Sequence, residues 1–325
     1  MQLFDTAKLA SCQMRTLSII TSCTNRKSVT PTRTLLARSL PVGSTALLAR
    51  EWSIRVRRAE PSTQVDELYQ GRAFLEAQKV SESAKSPLYV VSAGLGLLRA
   101  DQKIPSYSLT VSAGTADAIQ SRCTDTGFSA ANWWAVLTAR LGLQYPLAHL
   151  VGNSKGRLWL LALPRNYLEL VIDDLGQLSD RQLERVRIVG PQLSKSEHRV
   201  LEACLLGIDG RLNGPDSPLP GTQTDFAQRA ARFAYDAVIR GNLEGDVLAH
   251  RRAITRRLSG MRPATKHKRQ SLSDDAIIRK IKKLWGVADG KSGRMLRVLR
   301  DREQIACEQG RFQGLFNSVR ESLNL

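Results

Sequence analysis

The sequence predicts an α/β protein: an open, mostly parallel sheet with helices on both faces, followed by a basic, all-helical C-terminal region. Between residues 16 and 190, apolar runs of strand length alternate with segments whose apolar residues recur every three or four positions. Such alternation implies parallel strands joined by helical crossovers. Past residue 206 the alternation stops. A stretch dense in Gly, Pro and Asp (207–222) is a loop by composition, and only helix-patterned segments follow.

Leu17–Ser22 reads as the first strand. Ala46–Arg55 is mixed, with Trp52 and Ile54 alternating against charged neighbours, and is expected as an edge strand or loop. Val65–Lys79 is expected as one helix, with Leu68, Ala73, Phe74 and Ala77 near one face. Leu88–Ser92 is a second strand. Ser129 is placed to cap a helix through Trp133, Trp134, Leu137 and Leu141. Arg157–Leu163 is a third strand, stopped by Pro164. Asn166–Leu175 follows as a helix and Arg187–Val189 as a short last strand. Helices are expected over Asp225–Ile239 and Gly245–Leu258, and Met261–Gln270 as a charged linker. Three short helices come last: Ser273 to Leu284, one after the Gly290–Gly293 turn, and Cys307–Leu323. The expected domains are a core over 1–206, a linker with helices over 207–270, and a helix-turn-helix-like module over 271–325.

The 325 residues carry a net charge of +18, and its distribution is informative. Basic side chains outnumber acidic ones 10 to 3 over residues 1–60 and 19 to 7 over 251–325, while the middle is near neutral. A neutral body with basic ends suggests a surface for a polyanion, with nucleic acid the first expectation. Lys266, Lys268 and Arg269 in the linker, with Arg294, Arg297 and Arg300 on a late helix whose basic spacing continues to Arg302, are the candidate phosphate contacts. No apolar run reaches the length of a membrane span, and the first fifteen residues lack a signal peptide's apolar stretch. A cytoplasmic protein without a membrane partner is expected. Five scattered cysteines without a CxxC, and four histidines without HxxxH, point to neither a disulfide framework nor a metal site. No GxGxxG or GxxxxGK[ST] fingerprint occurs, and no cofactor is expected.

Two strand ends carry the candidate chemistry, because ligands of open parallel sheets bind beyond the carboxyl ends of the strands. After the first strand come Ser22, Cys23, Asn25, Lys27 and Ser28. A thiol at such an exit, close to cations, can serve as a nucleophile toward a nitrile, amidine or carbonyl carbon; it can equally be a small buried filler. Lys27 is a candidate acid or phosphate contact. Asn25 and Ser28 suit a base edge or a helix cap. After the second strand come Ser92, Gly94 and Gly96, then Asp101 and Tyr107. The glycines would let backbone approach a flat ligand. Asp101 is a candidate general acid or base, and Tyr107 could stack on a base or pack beneath it. Arg72, between the two segments, could reach phosphate or pair with Asp101.

In these residues the chain resembles a family. Ser22-Cys23-x-x-x-Lys27-Ser28, Leu68-Tyr69-x-Gly71-x-x-Phe74, and Val91-Ser92-Ala93-Gly94-Leu95-Gly96-Leu97-Leu98 leading to Asp101, Ile104-Pro105-x-Tyr107 and Thr110 are similar to the YaaA-like (DUF328/DUF6884) proteins, relatives of the archaeosine synthase core domain. The resemblance covers about 16–190. It implies an α/β core, a link to nucleic acid, and Cys23, Asn25, Lys27, Ser92, Gly94, Asp101 and Tyr107 around a base. One such member accompanies bacterial systems that place 7-deazaguanines in DNA. The expectation is hydration of the nitrile of 7-cyano-7-deazaguanine in DNA to the carboxamide, with Cys23, Lys27 and Asp101 catalytic. Double-stranded DNA and other proteins of such a modification system are the expected partners. The alternatives are a non-enzymatic DNA-binding protein of stress response or phage defence, and an N-glycosidase or nucleotide-processing enzyme.

Overall fold

The computed structural model describes residues 16–190, 199–265 and 269–323. They form two compact units, divided between Ala264 and Thr265.

Five strands build the sheet of the first unit: β1 (Thr16–Ser22), β2 (Leu88–Ser92), β3 (Gly96–Arg99), β4 (Arg157–Ala162) and β5 (Val186–Val189). Their order is β3-β2-β1-β4-β5. β1 runs parallel to β2 and β4, and β4 parallel to β5. Only β3 is antiparallel in this sheet, because it returns from β2 as a hairpin, Val90 lying opposite Leu98. β1 is buried from Leu17 through Ser22 and β5 throughout. Strands covered on both faces read as mostly apolar runs without alternation; buried Arg187 in β5 is the exception, its Nε donating to His250 Nδ1 at 2.9 Å.

Helices α1 (Thr45–Arg58), α2 (Arg72–Ala84), α3 (Ala130–Leu141), α4 (Pro146–Asn153), α5 (Arg165–Leu175), α6 (Phe226–Ala237) and α7 (Val247–Ser259) pack around the sheet. α3 packs between α1 and α5, while α2 and α6 pair against β1, β4 and β5. The core holds Trp52, Trp133, Trp134 and Trp159 with essentially no exposure. Three of their indole nitrogens find acceptors: Trp52 on the Gly94 carbonyl at 2.6 Å, Trp133 on the Ala93 carbonyl at 2.8 Å, and Trp134 on the Asp174 carboxylate at 2.9 Å.

Three sequence expectations change. Ala46–Arg55 is helical, inside α1. Leu48, Ala49, Trp52 and Ser53 are buried at helical spacing, and the Ser44 hydroxyl caps the Leu47 amide; the Trp52/Ile54 alternation is a two-residue accident inside a helical period. Val65–Lys79 is two helices, a single turn Val65–Leu68 and α2. The break lies at Tyr69–Gly71, where the chain pairs with the loop leaving β1: Gln70 N–H to the Arg26 carbonyl at 2.8 Å, Ser28 N–H to the Leu68 carbonyl at 2.9 Å. Gly71 has a φ of +103° there, open to glycine alone at little cost. Finally, residues 207–264 are no linker. α6 buries Phe226, Ala230, Ala231 and Ala234 in the core of the first unit, which therefore extends well past 206.

The second unit has its own core of Ile277, Ile281, Met295, Leu299, Phe312, Phe316 and Val319. It comprises α8 (Asp274–Lys283), capped by the Ser273 hydroxyl, α9 (Ser292–Arg297), which continues as a wide turn over Val298–Arg302, and α10 (Gln309–Ser322). A two-residue parallel pairing joins Gln270–Ser271 to Ile305–Ala306.

Candidate active site

β1 and β4 are neighbours whose chains leave in opposite directions across the sheet, toward β2 and β5. Such a switch point opens a crevice beyond the strands' carboxyl ends, and a cleft of about 590 Å³ lies there. Its walls are Ser22–Arg26 after β1, Gln70–Ala73 at the start of α2, Thr110 and Ser112, Pro164–Tyr167 after β4, and Thr222–Gln228 leading into α6. A larger depression of about 770 Å³ lies along Val29–Leu35, with Arg33, Arg55 and Arg58. It holds no nucleophile of the candidate set, and its Arg55 is tied to the Thr34 carbonyl and the Ser39 hydroxyl.

Cys23 is 7% exposed and its Sγ lies 2.9 Å from the Tyr167 hydroxyl. Behind it runs a set of buried hydroxyls. Tyr107 Oη is 2.5 Å from Ser92 Oγ and 2.8 Å from Tyr69 Oη. The amides of Gly94 and Leu95 donate to Ser92 Oγ at 3.3 and 2.9 Å. Burial is the main reason the Tyr69, Tyr107 and Tyr167 phenols stay protonated well above the ordinary tyrosine range, with the neighbouring Cys23 adding to it. Lys27 extends over this cluster, its Nζ 4.5 Å from the centre of the Tyr107 ring and 5.5 Å from that of Tyr69, within cation–π range. Nζ also donates to the Thr24 carbonyl at 3.0 Å. Burial lowers the Lys27 pKa, and the nearby Cys23 and Asp117 oppose that shift.

The α6 wall is braced by charge. Arg229, 1% exposed as a side chain, donates to Asp225 Oδ1 at 2.8 Å and to the carbonyls of Leu212, Leu219 and Thr222. Asp225 Oδ1 also takes the Thr222 amide at 2.8 Å, and Oδ2 pairs with Arg72 Nε at 3.0 Å. Gln228 projects from α6 to the end of β1, with its Nε2 3.2 Å from Thr21 Oγ1 and 3.4 Å from Ser22 Oγ.

Of the candidate residues, Ser22, Cys23, Asn25 and Arg72 line the cleft, and Lys27, Ser92 and Tyr107 form the layer around and beneath the thiol. The others lie elsewhere. Asp101 is the principal correction. It sits past the β3 hairpin, which carries the chain back to the amino end of β2, where the Ala100 amide bonds the Leu88 carbonyl. There it is exposed and receives Arg99 Nε at 2.6 Å, a pairing that lowers its pKa. It is neither in the cleft nor paired with Arg72. Gly94 faces Tyr107 rather than a ligand: a Cβ there would lie 2.7 Å from the ring. Gly96, with φ +77°, forms the hairpin turn. Ser28 donates to the Glu67 carbonyl at 2.9 Å outside the cleft.

In the second unit, Lys266 and Lys268 lie outside the described residues. Arg269 is bound to the Arg300 carbonyl and Asp301, Arg294 to Asp289, and Arg300 to the Cys307 carbonyl. Arg297 is exposed, with its Nε 3.4 Å from the Gly293 carbonyl. Most of the chosen guanidiniums thus hold the unit together, while Arg279, Lys282, Lys283 and Arg302 stand exposed. Among the described residues, no three His, Cys, Asp or Glu side chains gather as a metal-binding group.

Tyr167, Gln228 and Asp225 were missed. Tyr167 and Gln228 look like interior positions of amphipathic helices. The one available signal was a glutamine among alanines on the apolar stripe of α6.

Fold and cleft together define an α/β protein with a buried thiol at a sheet switch point. No family model matches the chain, and no curated protein matches it.

Proposed function

We propose that this chain is a YaaA-like DNA base-modification enzyme that hydrates the nitrile of 7-cyano-7-deazaguanine in DNA to the carboxamide. The observation that carries the reading is Cys23 Sγ at the cleft, 2.9 Å from the Tyr167 hydroxyl. A nucleophile within hydrogen-bond reach of a proton-transferring group is the arrangement that covalent addition to an electrophilic carbon requires. Cys23 adds through sulfur to the nitrile carbon, and its proton passes by way of Tyr167 to the nitrile nitrogen, giving a thioimidate. Water then adds to the same carbon, the C–S bond breaks, and a proton returns to sulfur. The net change is one water added to one nitrile. The Lys27 ammonium, within electrostatic reach of Cys23, stabilises negative charge developing on sulfur.

The cleft's size falls in the range of small-ligand sites. A duplex base would have to leave the stack to enter it, and exposed cations such as Lys282 and Lys283 would hold the duplex by its phosphates. Other proteins of a modification system are required only if the isolated chain binds but does not convert. Nucleosides released from cyano-deazaguanine DNA after incubation test the reading by mass spectrometry. The amide should appear with the native chain and be absent with Cys23→Ala. Intact nitrile with the native chain and its partner proteins would contradict it. The exposed cations also favour a second reading, a non-enzymatic DNA-binding protein, which requires salt-sensitive binding that Cys23→Ala leaves unchanged, with no base chemistry.

A further inference from the structure

We propose that Gln228 selects the ligand of this cleft by accepting a hydrogen bond from one of its N–H groups. The side chain is 1% exposed and lines the same cleft as Cys23. Its amide orientation is fixed by chemistry. Nε2 lies 3.1 Å from the Ala162 carbonyl oxygen, which can only accept, so the NH₂ must face it. Oε1 is thereby turned away, and it has no hydrogen-bond partner. Buried polar atoms are nearly always paired, and an orphan needs a cause. At a cleft wall, the cause is an acceptor awaiting a ligand donor.

Its neighbours do not compete for that role. Asp225, the carboxylate of the cleft lining, is already bonded by Thr222, Arg229 and Arg72. Asn166, which donates to Ser112 Oγ at 2.7 Å, is only half-buried, and its oxygen is not a buried atom without a partner. Gln228 Oε1 is the buried acceptor left open. An aliphatic or acceptor-only ligand would leave it unpaired. A guanine-type edge, with its ring N1–H and exocyclic amino group, would satisfy it. This identification of the donor rests on the guanine-type substrate proposed above.

Calorimetric titration of the full-length protein with deoxyguanosine, N1-methyl-deoxyguanosine and deoxyinosine separates the two donors, since each analogue lacks one. The native chain should bind deoxyguanosine about tenfold more tightly than one of the analogues, the size expected when a buried acceptor loses its partner. Gln228→Met should bind all three alike. Equal affinities in the native chain, no binding of any of them, or a preference that persists in a folded Gln228→Met would overturn the proposal. The native-chain comparison stands even where the variant fails to fold. A Gln228-dependent preference in a protein that leaves the nitrile unchanged would keep this inference and remove the hydratase reading. Nitrile conversion with equal nucleoside affinities would do the reverse.

Discussion

Cys23, Tyr167 and Lys27 divide the work of the proposed reaction, and each makes a separate prediction. Tyr167→Phe removes the hydroxyl 2.9 Å from the thiol and leaves the ring. Nitrile conversion should fall about 10²-fold, the lower range for lost proton transfer, with little change in thermal stability. Lys27 gives a pH prediction. Burial depresses its pKa in the folded state below 10.5, so between the depressed value and 10.5 the unfolded chain binds more protons than the folded one. Stability attributable to Lys27 therefore rises with pH through that window. Denaturant unfolding of the native chain from about pH 8 to about 10 should show a gain that Lys27→Met lacks; parallel curves would remove the buried ammonium from the account. At this scale the sequence was half legible. Cys23 and Lys27 follow an apolar strand and were visible as a strand-end pair. Asp101 was misplaced because its distance from Tyr107 in sequence does not reveal that a hairpin reverses the chain between Ser92 and Arg99.

The elements that form the cleft come from distant parts of the chain, and this is why one wall went unseen. β1 and β4 were recognisable as continuous apolar runs, because strands covered on both faces leave that trace. The contribution of α6 was not, since nothing local in a Gly- and Pro-rich loop followed by an alanine-rich helix tells where it docks. The docking is secured by Arg229, whose guanidinium joins the loop carbonyls of Leu212, Leu219 and Thr222 to Asp225. Arg229→Met should cost about 3 kcal/mol, because it leaves the buried Asp225 carboxylate with the half-exposed Arg72 as its remaining ion partner and strips several buried carbonyls of their donor. Chemical denaturation measures this. The Thr222–Gln228 wall should loosen as well, so nucleoside affinity at non-denaturing temperature should drop with it. A variant as stable as the native chain would show that the wall is held by other contacts.

At the scale of the whole molecule, the fold separates into two units. The sheet unit closes at Ala264, later than the composition suggested, because α6 and α7 have lost the strand alternation but still pack on the sheet unit's core. The basic C-terminal unit was legible as three helices, while the set of cations left exposed on it was only partly so. Of the arginines chosen by helical spacing, Arg294 and Arg300 bind their own fold while Arg297 is exposed, and the exposed set also includes Lys282, Lys283 and Arg302, the last of them part of that spacing. Each phosphate contact contributes about 0.9 to the slope of log K against log salt. Replacing these three residues by Glu in the full-length protein should therefore flatten the slope for duplex DNA by about 2.7 and leave the stability nearly unchanged. An unaltered slope would place the phosphate contacts elsewhere.

The central claim is that the thiol at the carboxyl end of β1 forms a bond to the substrate carbon. Peptide mapping by mass spectrometry, after rapid acid quenching of the native chain turning over cyano-deazaguanine DNA, tests it most directly. The account predicts that digestion releases a Cys23-containing peptide heavier by the modified nucleotide. Conversion to amide with Cys23 unmodified, or an undiminished rate in Cys23→Ala, would contradict it.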